Sequence, residues 1–177
     1  MSLFASAMGI EYRQLHLAVR AFHDLEGHVV LPGFVEVEGP ANWMGRIMAA
    51  LQGAPDKAAR GDMTFVLDAG EQEQVWARRF PGATMRSTMR LVDGLIVERM
   101  GPATMAFQLV AEGEQLVMKL RSMRFLGIPC PAWLVPRIVA REHGQDGRLH
   151  FEVRATVPLI GRVAGYRGYL EIPGVGA

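Results

Sequence analysis

Methionine is the residue whose number and spacing first suggest chemistry in this chain, with eleven in 177 residues. Met85, Met89, Met105 and Met118 fall on the inward-reading positions of alternating segments. Together with Phe107, Leu109, Leu149, Phe151 and Val153 they would line one apolar face. A thioether is polarizable and has three rotatable bonds, so such a lining suits an adaptable cavity for irregular lipophilic ligands. A solid core filled by these same methionines is the competing reading. Arg99 follows Leu95 and Val97 in alternation and is expected on the inner face. There a guanidinium would clamp the carboxylate or phosphate of a ligand head group. Alternatively it pairs with an internal acid or reaches solvent at the strand end. The expected ligand set is therefore Met85, Met89, Arg99, Met105, Phe107, Met118 and Phe151.

Other reactive residue types form weaker patterns. Cys130 lies between Pro129 and Pro131, where a rigid loop would position a nucleophile, but its neighbours Ile128 and Trp133 suit inert packing equally well. Glu98 is a possible acid–base group with no second carboxylate near it in sequence, and Arg79 is a third polar candidate. His16 and His23 are seven residues apart on a helical pattern, roughly 10 Å at 1.5 Å per residue, too far to share an ion. His143 and His150 would face each other if Asp146-Gly147 forms a two-residue hairpin loop. Their neighbours Glu142 and Glu152 point to the other face, so no metal site is expected. There is no G-x-S-x-G elbow, no P-loop and no G-x-G-x-x-G. No cofactor is expected.

These residues need elements to hold them. Leu15, Val19, Phe22 and Leu25 give residues 13–25 the period of an amphipathic helix, stopped by Gly27. A strand run follows at His28–Leu31 and Phe34–Val37, with a bulge or bend expected at Pro32-Gly33. Asn42 caps a second helix over Trp43–Leu51. From Asp62 the period becomes two, with strands at Met63–Leu67, Gln74–Phe80, Met85–Leu91, Leu95–Arg99, Thr104–Ala111 and Gln115–Phe125. Pro81-Gly82 and Asp93-Gly94 mark turns between them. Three prolines make Gly127–Pro136 a packed loop. Strands resume at Arg137–His143, Arg148–Val157 and Val163–Ile172. About nine or ten strands joined by short turns form an antiparallel meander, which must curl or close to bury one face. The fold class is thus mainly β (α+β), a strongly curled sheet or barrel with the two early helices packed on it. Trp43 and Ile47 of the second helix, with Trp133 of the proline-rich loop, would act as a lid. Arg78, Arg86, Arg90, Arg148 and Arg154 are expected on the outer, solvated face.

Composition narrows the function classes. The length suits one domain across residues 1–177. Nineteen basic against eighteen acidic residues argues against a nucleic-acid binder. A single cysteine excludes an internal disulfide framework and Cys-rich zinc modules. No stretch approaches the length of a transmembrane helix, and the apolar start Met1–Met8 lacks a basic leader. A cytoplasmic location is expected.

Several short motifs also resemble a known family. Trp76-Ala77-Arg78-Arg79-Phe80, the run Gly94–Pro102, Leu126–Pro131, Val157-Pro158-Leu159-Ile160-Gly161 and Tyr166-Arg167-Gly168-Tyr169-Leu170 resemble the bacterial domain of unknown function DUF4166, over roughly residues 13–171. The resemblance implies no activity and no catalytic residues. The family is found alone or attached to saccharopine-dehydrogenase-like domains, which implies a possible dehydrogenase-like protein partner. Three functions stay open: a carrier for a hydrophobic or lipid-like small molecule, a module docking onto such a partner, and an uncharacterised enzyme.

Overall fold

A computed structural model describes residues 1–175. The chain opens with three short helical segments: α1 (Leu3–Met8), a 3-10 turn (Gly9–Gln14) and α2 (Leu17–His23). Helix α3 (Trp43–Leu51) follows the first strand. The strands are β1 (Gly27–Val37), β2 (Ala59–Ala69), β3 (Glu73–Phe80), β4 (Ala83–Val92), β5 (Leu95–Met100), β6 (Ala103–Glu112), β7 (Gln115–Phe125), β8 (Ile128–Pro129), β9 (Arg137–Gln145), β10 (Arg148–Val157) and β11 (Gly161–Glu171). All pairings are antiparallel. The spatial order β6-β5-β4-β3-β2-β1-β11-β10-β9-β7 closes through β6–β7 into a barrel of ten strands, and β8 hangs on the end of β7.

The curled meander is therefore a closed barrel, and closure removes the unpaired edges of an open sheet. One seam is weak. β7 and β9 register only at Leu116↔Glu142 and Val117↔Arg141, whereas β9 pairs with β10 from Arg137 to Gln145. Beyond Val117 the two strands separate, leaving a groove floored by Met118, Ile138 and Ala140.

Two expectations about backbone are corrected. The helix expected over residues 13–25 is confined to Leu17–His23. Leu15 and His16 are extended, and His16 Nδ1 accepts from the Ala18 N–H at 3.1 Å, capping α2 where the pattern alone would continue it. The preceding α1, capped by Ser2 Oγ, lies in the segment read only as an apolar start. The bulge or bend expected at Pro32-Gly33 is absent, because β1 keeps its register with β2 through both residues. Pro32 stands one residue before β11 pairing begins at Gly33↔Leu170, so its missing N–H breaks no ladder there. Gly33 is required instead by close approach, since a Cβ would collide with the Tyr169 carbonyl oxygen.

The two barrel ends differ. At one end α1, the 3-10 turn and α2 form a plug, with Phe4 and Phe22 fully buried against Trp76 at ring centroid distances of 5.8 and 5.6 Å. Tyr12 pins the plug by donating to Asp24 Oδ1 at 2.9 Å. At the other end α3 lies across the start of β11, fixed by the Asn42 side chain donating to the Ile160 carbonyl and by the Ala41 N–H donating to the Arg162 carbonyl. Gly53 and Gly101 bring the end of α3 against the starts of β4 and β6.

Candidate functional site

The barrel interior holds an apolar cavity of about 110 Å³. Its inner wall is built by strand alternation: residues facing each other across a register share a face. Met85, Ser87 and Met89 of β4 point inward, as do Met105 and Phe107 of β6. Six of the eleven methionines line the space: Met63, Met85, Met89, Met100, Met105 and Met118. Phe107 and Phe151 line it too, so six of the seven expected ligand-set residues converge on one cavity. Phe22 of the plug forms part of one end, and Gln52, at the end of α3, part of the other. The volume is below the several hundred Å³ typical of ligand pockets, because methionine side chains occupy much of the interior.

Arg99 is the exception. It is exposed and pairs in register with the outward Thr88, while Ile96, Glu98 and Met100 face inward. The apolar run Leu95-Ile96-Val97 fits either parity. What decides it is β6: Ile96↔Phe107 and Glu98↔Met105 put the partners of two inward residues on the inner face. The buried cation is Arg78, which had been expected on the solvated side. Its partner Met85 across the Pro81-Gly82 turn is inward, so Arg78 is inward as well. Counting back across that two-residue turn was the available signal. Arg86, Arg90, Arg148 and Arg154 are exposed, as expected.

Arg78 and Glu98 form a buried ion pair, Nη2 to Oε1 at 3.4 Å, and Arg78 Nη1 donates to Ser87 Oγ at 3.1 Å. The guanidinium also lies over Trp76 at 5.0 Å and Phe65 at 5.9 Å, favourable cation–π distances. Tyr166 lines the same cavity. Burial raises its phenol pKa above the usual 10, partly offset by the nearby Arg78 charge, so it stays a hydrogen-bond donor across the physiological range. Glu142 reaches the cavity from β9 and accepts from, or donates to, His23 Nε2 at 2.7 Å according to protonation. His23 itself is buried and stacked on Phe4 at 3.7 Å. The interior thus combines a soft apolar wall with a compact polar cluster of Arg78, Ser87, Glu98, Glu142 and Tyr166.

The remaining candidates do not converge here. Trp43, Ile47 and Trp133, expected as a lid, are all exposed, and the loop expected to be packed projects Ile128 and Trp133 outward. Cys130 is half-buried and lies outside the cavity lining, and Arg79 is exposed. His143 and His150 do face each other across the Asp146-Gly147 turn, with rings stacked at 5.2 Å. No group of three or more metal-ligating side chains occurs among the described residues.

A family model for a domain of unknown function, DUF4166, matches residues 15–170. The chain belongs to that family. The match covers α2, α3 and the barrel strands up to Leu170 in β11, leaving α1 and the 3-10 turn before it. No curated protein matches the chain. No helix among the described residues is long and apolar enough to cross a membrane.

Proposed function

We propose that this DUF4166 barrel binds and carries a compact hydrophobic small molecule with an anionic or hydrogen-bond-accepting head. The observation that carries this reading is the joining, in one interior cavity, of a methionine wall with the buried Arg78 guanidinium. Arg78 takes the anchoring role first expected of Arg99. A guanidinium has five N–H donors, and Glu98 and Ser87 engage two of its nitrogens here, which leaves donors for a ligand oxygen. Tyr166 supplies a second donor.

The cavity volume sets the size of the guest. An engineered cavity of about 150 Å³ accepts benzene, so about 110 Å³ suits a guest no larger than a small ring or a short alkyl chain. A longer chain fits once methionine side chains change rotamer, and the parted β7–β9 seam is the natural place of entry. Met118, Ile138, Ala140 and Arg141 border both the cavity and the outer groove. We read the role as a cytoplasmic one, a setting in which a lone thiol such as Cys130 stays reduced.

Native mass spectrometry of gently purified protein tests the proposal. A stoichiometric adduct released on denaturation is expected for the wild type and its loss for Met89→Trp, which fills the space. Ala140→Leu, a smaller intrusion beside the seam, controls for misfolding of the first variant. Titration with octanoate completes the test: no adduct and no saturable octanoate binding would overturn the reading.

A further inference from the structure

The α3 end of the barrel carries a second kind of surface. Helix α3 is turned inside out: it buries its small residues Gly45 and Ala49 and exposes Trp43, Ile47 and Leu51, a stripe at i, i+4 and i+8. An ordinary surface helix does the reverse. The neighbouring connections add Leu126 at 72% exposure, Leu159 at 87% and Trp133 at 62%. All of these lie at one end, since the Leu126 N–H bonds the Pro102 carbonyl, Thr156 pairs with Arg137, and Asn42 reaches Ile160.

Backbone conformation makes the two leucines more telling. Leu126 and Leu159 have φ of 52° and 66°, in the left-handed region that costs a non-glycine residue roughly 1–2 kcal/mol. Among the described residues, the other non-glycine residues with positive φ are Asp93 and Asp146, at turns of the plugged end, where a short polar side chain is the usual solution. At the α3 end the same strained position holds a bulky apolar side chain that touches little of its own protein. Such a choice stabilises nothing in the isolated barrel.

Charge separates the ends as well. The four hairpin turns of the plugged end each hold one carboxylate, Glu71, Asp93, Glu114 and Asp146, and no Lys or Arg. At the α3 end Arg46, Lys57, Arg124 and Arg137 have no carboxylate partner among the described residues. The carboxylates near that end are Glu36, Glu38, Asp56 and Asp62; Glu36 is engaged by Arg60 and Arg167, and Glu38 by Arg154 and Arg162. Exposed tryptophans and leucines beside uncompensated cations match the chemistry of an anionic lipid surface. Indole rings settle at the headgroup level, leucines insert below, and cations meet lipid phosphates.

We propose that the α3 end docks onto an anionic bilayer surface through Trp43, Ile47, Leu126, Trp133 and Leu159, flanked by Arg46, Arg124 and Arg137. The docking stands on surface features alone. Joined to the carrier reading, it makes the bilayer the place where the hydrophobic guest is collected or released.

Co-sedimentation with vesicles tests it, comparing phosphatidylcholine alone with phosphatidylcholine containing phosphatidylglycerol. Wild-type protein is expected to sediment with the anionic vesicles and to release as salt rises. The double variant Leu126→Asn, Leu159→Asn is expected to bind about tenfold or more weakly. Asparagine tolerates positive φ, so this variant keeps the fold, as a melting curve will verify. Met89→Trp separates the two proposals: it should lose octanoate but keep vesicle binding. Wild-type protein that stays in the supernatant with anionic vesicles, or a double variant that binds as the wild type does, would overturn the docking. In the first case, concentration-dependent dimers broken by the same substitutions would assign this end to a second copy instead.

Discussion

The buried ion pair offers the sharpest energetic test. Glu98→Gln removes the charge facing Arg78 while keeping the side-chain shape. The two side chains are only 10% and 7% exposed, so water compensates little. Breaking one side of a buried pair typically costs about 3–5 kcal/mol, because the remaining charge is stranded. Here Ser87 Oγ and the faces of Trp76 and Phe65 hold the guanidinium in both proteins, and the new amide oxygen can still accept one of its hydrogen bonds, which offsets about 1 kcal/mol of that cost. The expected loss is therefore about 2–4 kcal/mol. At about 2–4 °C per kcal/mol for a chain of this size, Tm falls by roughly 5–15 °C. Urea denaturation of wild type, Glu98→Met, Arg78→Met and the double variant Arg78→Met, Glu98→Met measures the coupling in one cycle, with Glu98→Gln run beside it. The double variant is expected within about 1 kcal/mol of wild type, since apolar replacement of a buried pair is often neutral. Octanoate should raise the Tm of Glu98→Gln more than that of wild type, by supplying the missing carboxylate. A loss below about 1 kcal/mol for Glu98→Gln, the range of exposed pairs, would refute the claim that the guanidinium is isolated from solvent.

Three further outcomes follow from the packing. Burial first, and then the charge of His143, lower the His150 pKa below the usual 6.5. Its share of stability is therefore present above the unfolded value and lost as pH falls through 6.5 towards the lower folded value; an NMR titration of His150, with stability curves for His150→Gln, checks both. Gly33→Ala and Gly168→Ala each force a methyl into a facing backbone carbonyl, of Tyr169 and Phe34 respectively. Either should cost several kcal/mol, read as a lowered urea midpoint. Leu126→Gly relieves about 1–2 kcal/mol of positive-φ cost and, after the entropy that glycine adds to the unfolded chain, should raise stability by about 0.5–1 kcal/mol by the same measurement.

Much of the barrel was legible because its strands alternate cleanly and its turns carry Gly and Pro. Met85, Ser87 and Met89 separate from Arg86, Thr88 and Arg90 without ambiguity, and β6 repeats the pattern. Parity failed where both faces are apolar or both are mixed. Leu95-Ile96-Val97 allowed Arg99 to be read inward, and Arg78-Arg79 gave no internal hint which arginine was buried. Cross-strand register resolved both, and register is a property of paired strands rather than of one segment. The α3 stripe was visible as a stripe, but its direction was not. Amphipathicity alone implies that large residues face in, whereas Gly45 and Ala49 allow α3 to approach β11 closely with its small side. Barrel closure through the short β7–β9 seam depends on contacts far apart in sequence and left no local mark.

A guest received in the methionine-lined interior must touch the methionine methyl groups. Carbon-13 labelling of those groups reads this contact most directly, during titration with octanoate. Met85, Met89, Met105 and Met118 line the cavity, whereas Met1 is almost fully exposed on the plug and Met44 lies on the outside of α3. Saturable shifts of the four interior methyls are expected, with Met1 unmoved, and in Met89→Trp the three that remain are expected to stay fixed. Interior methyls that stay fixed through the titration of the wild type, or shifts confined to Met1 and Met44, would contradict binding in the interior.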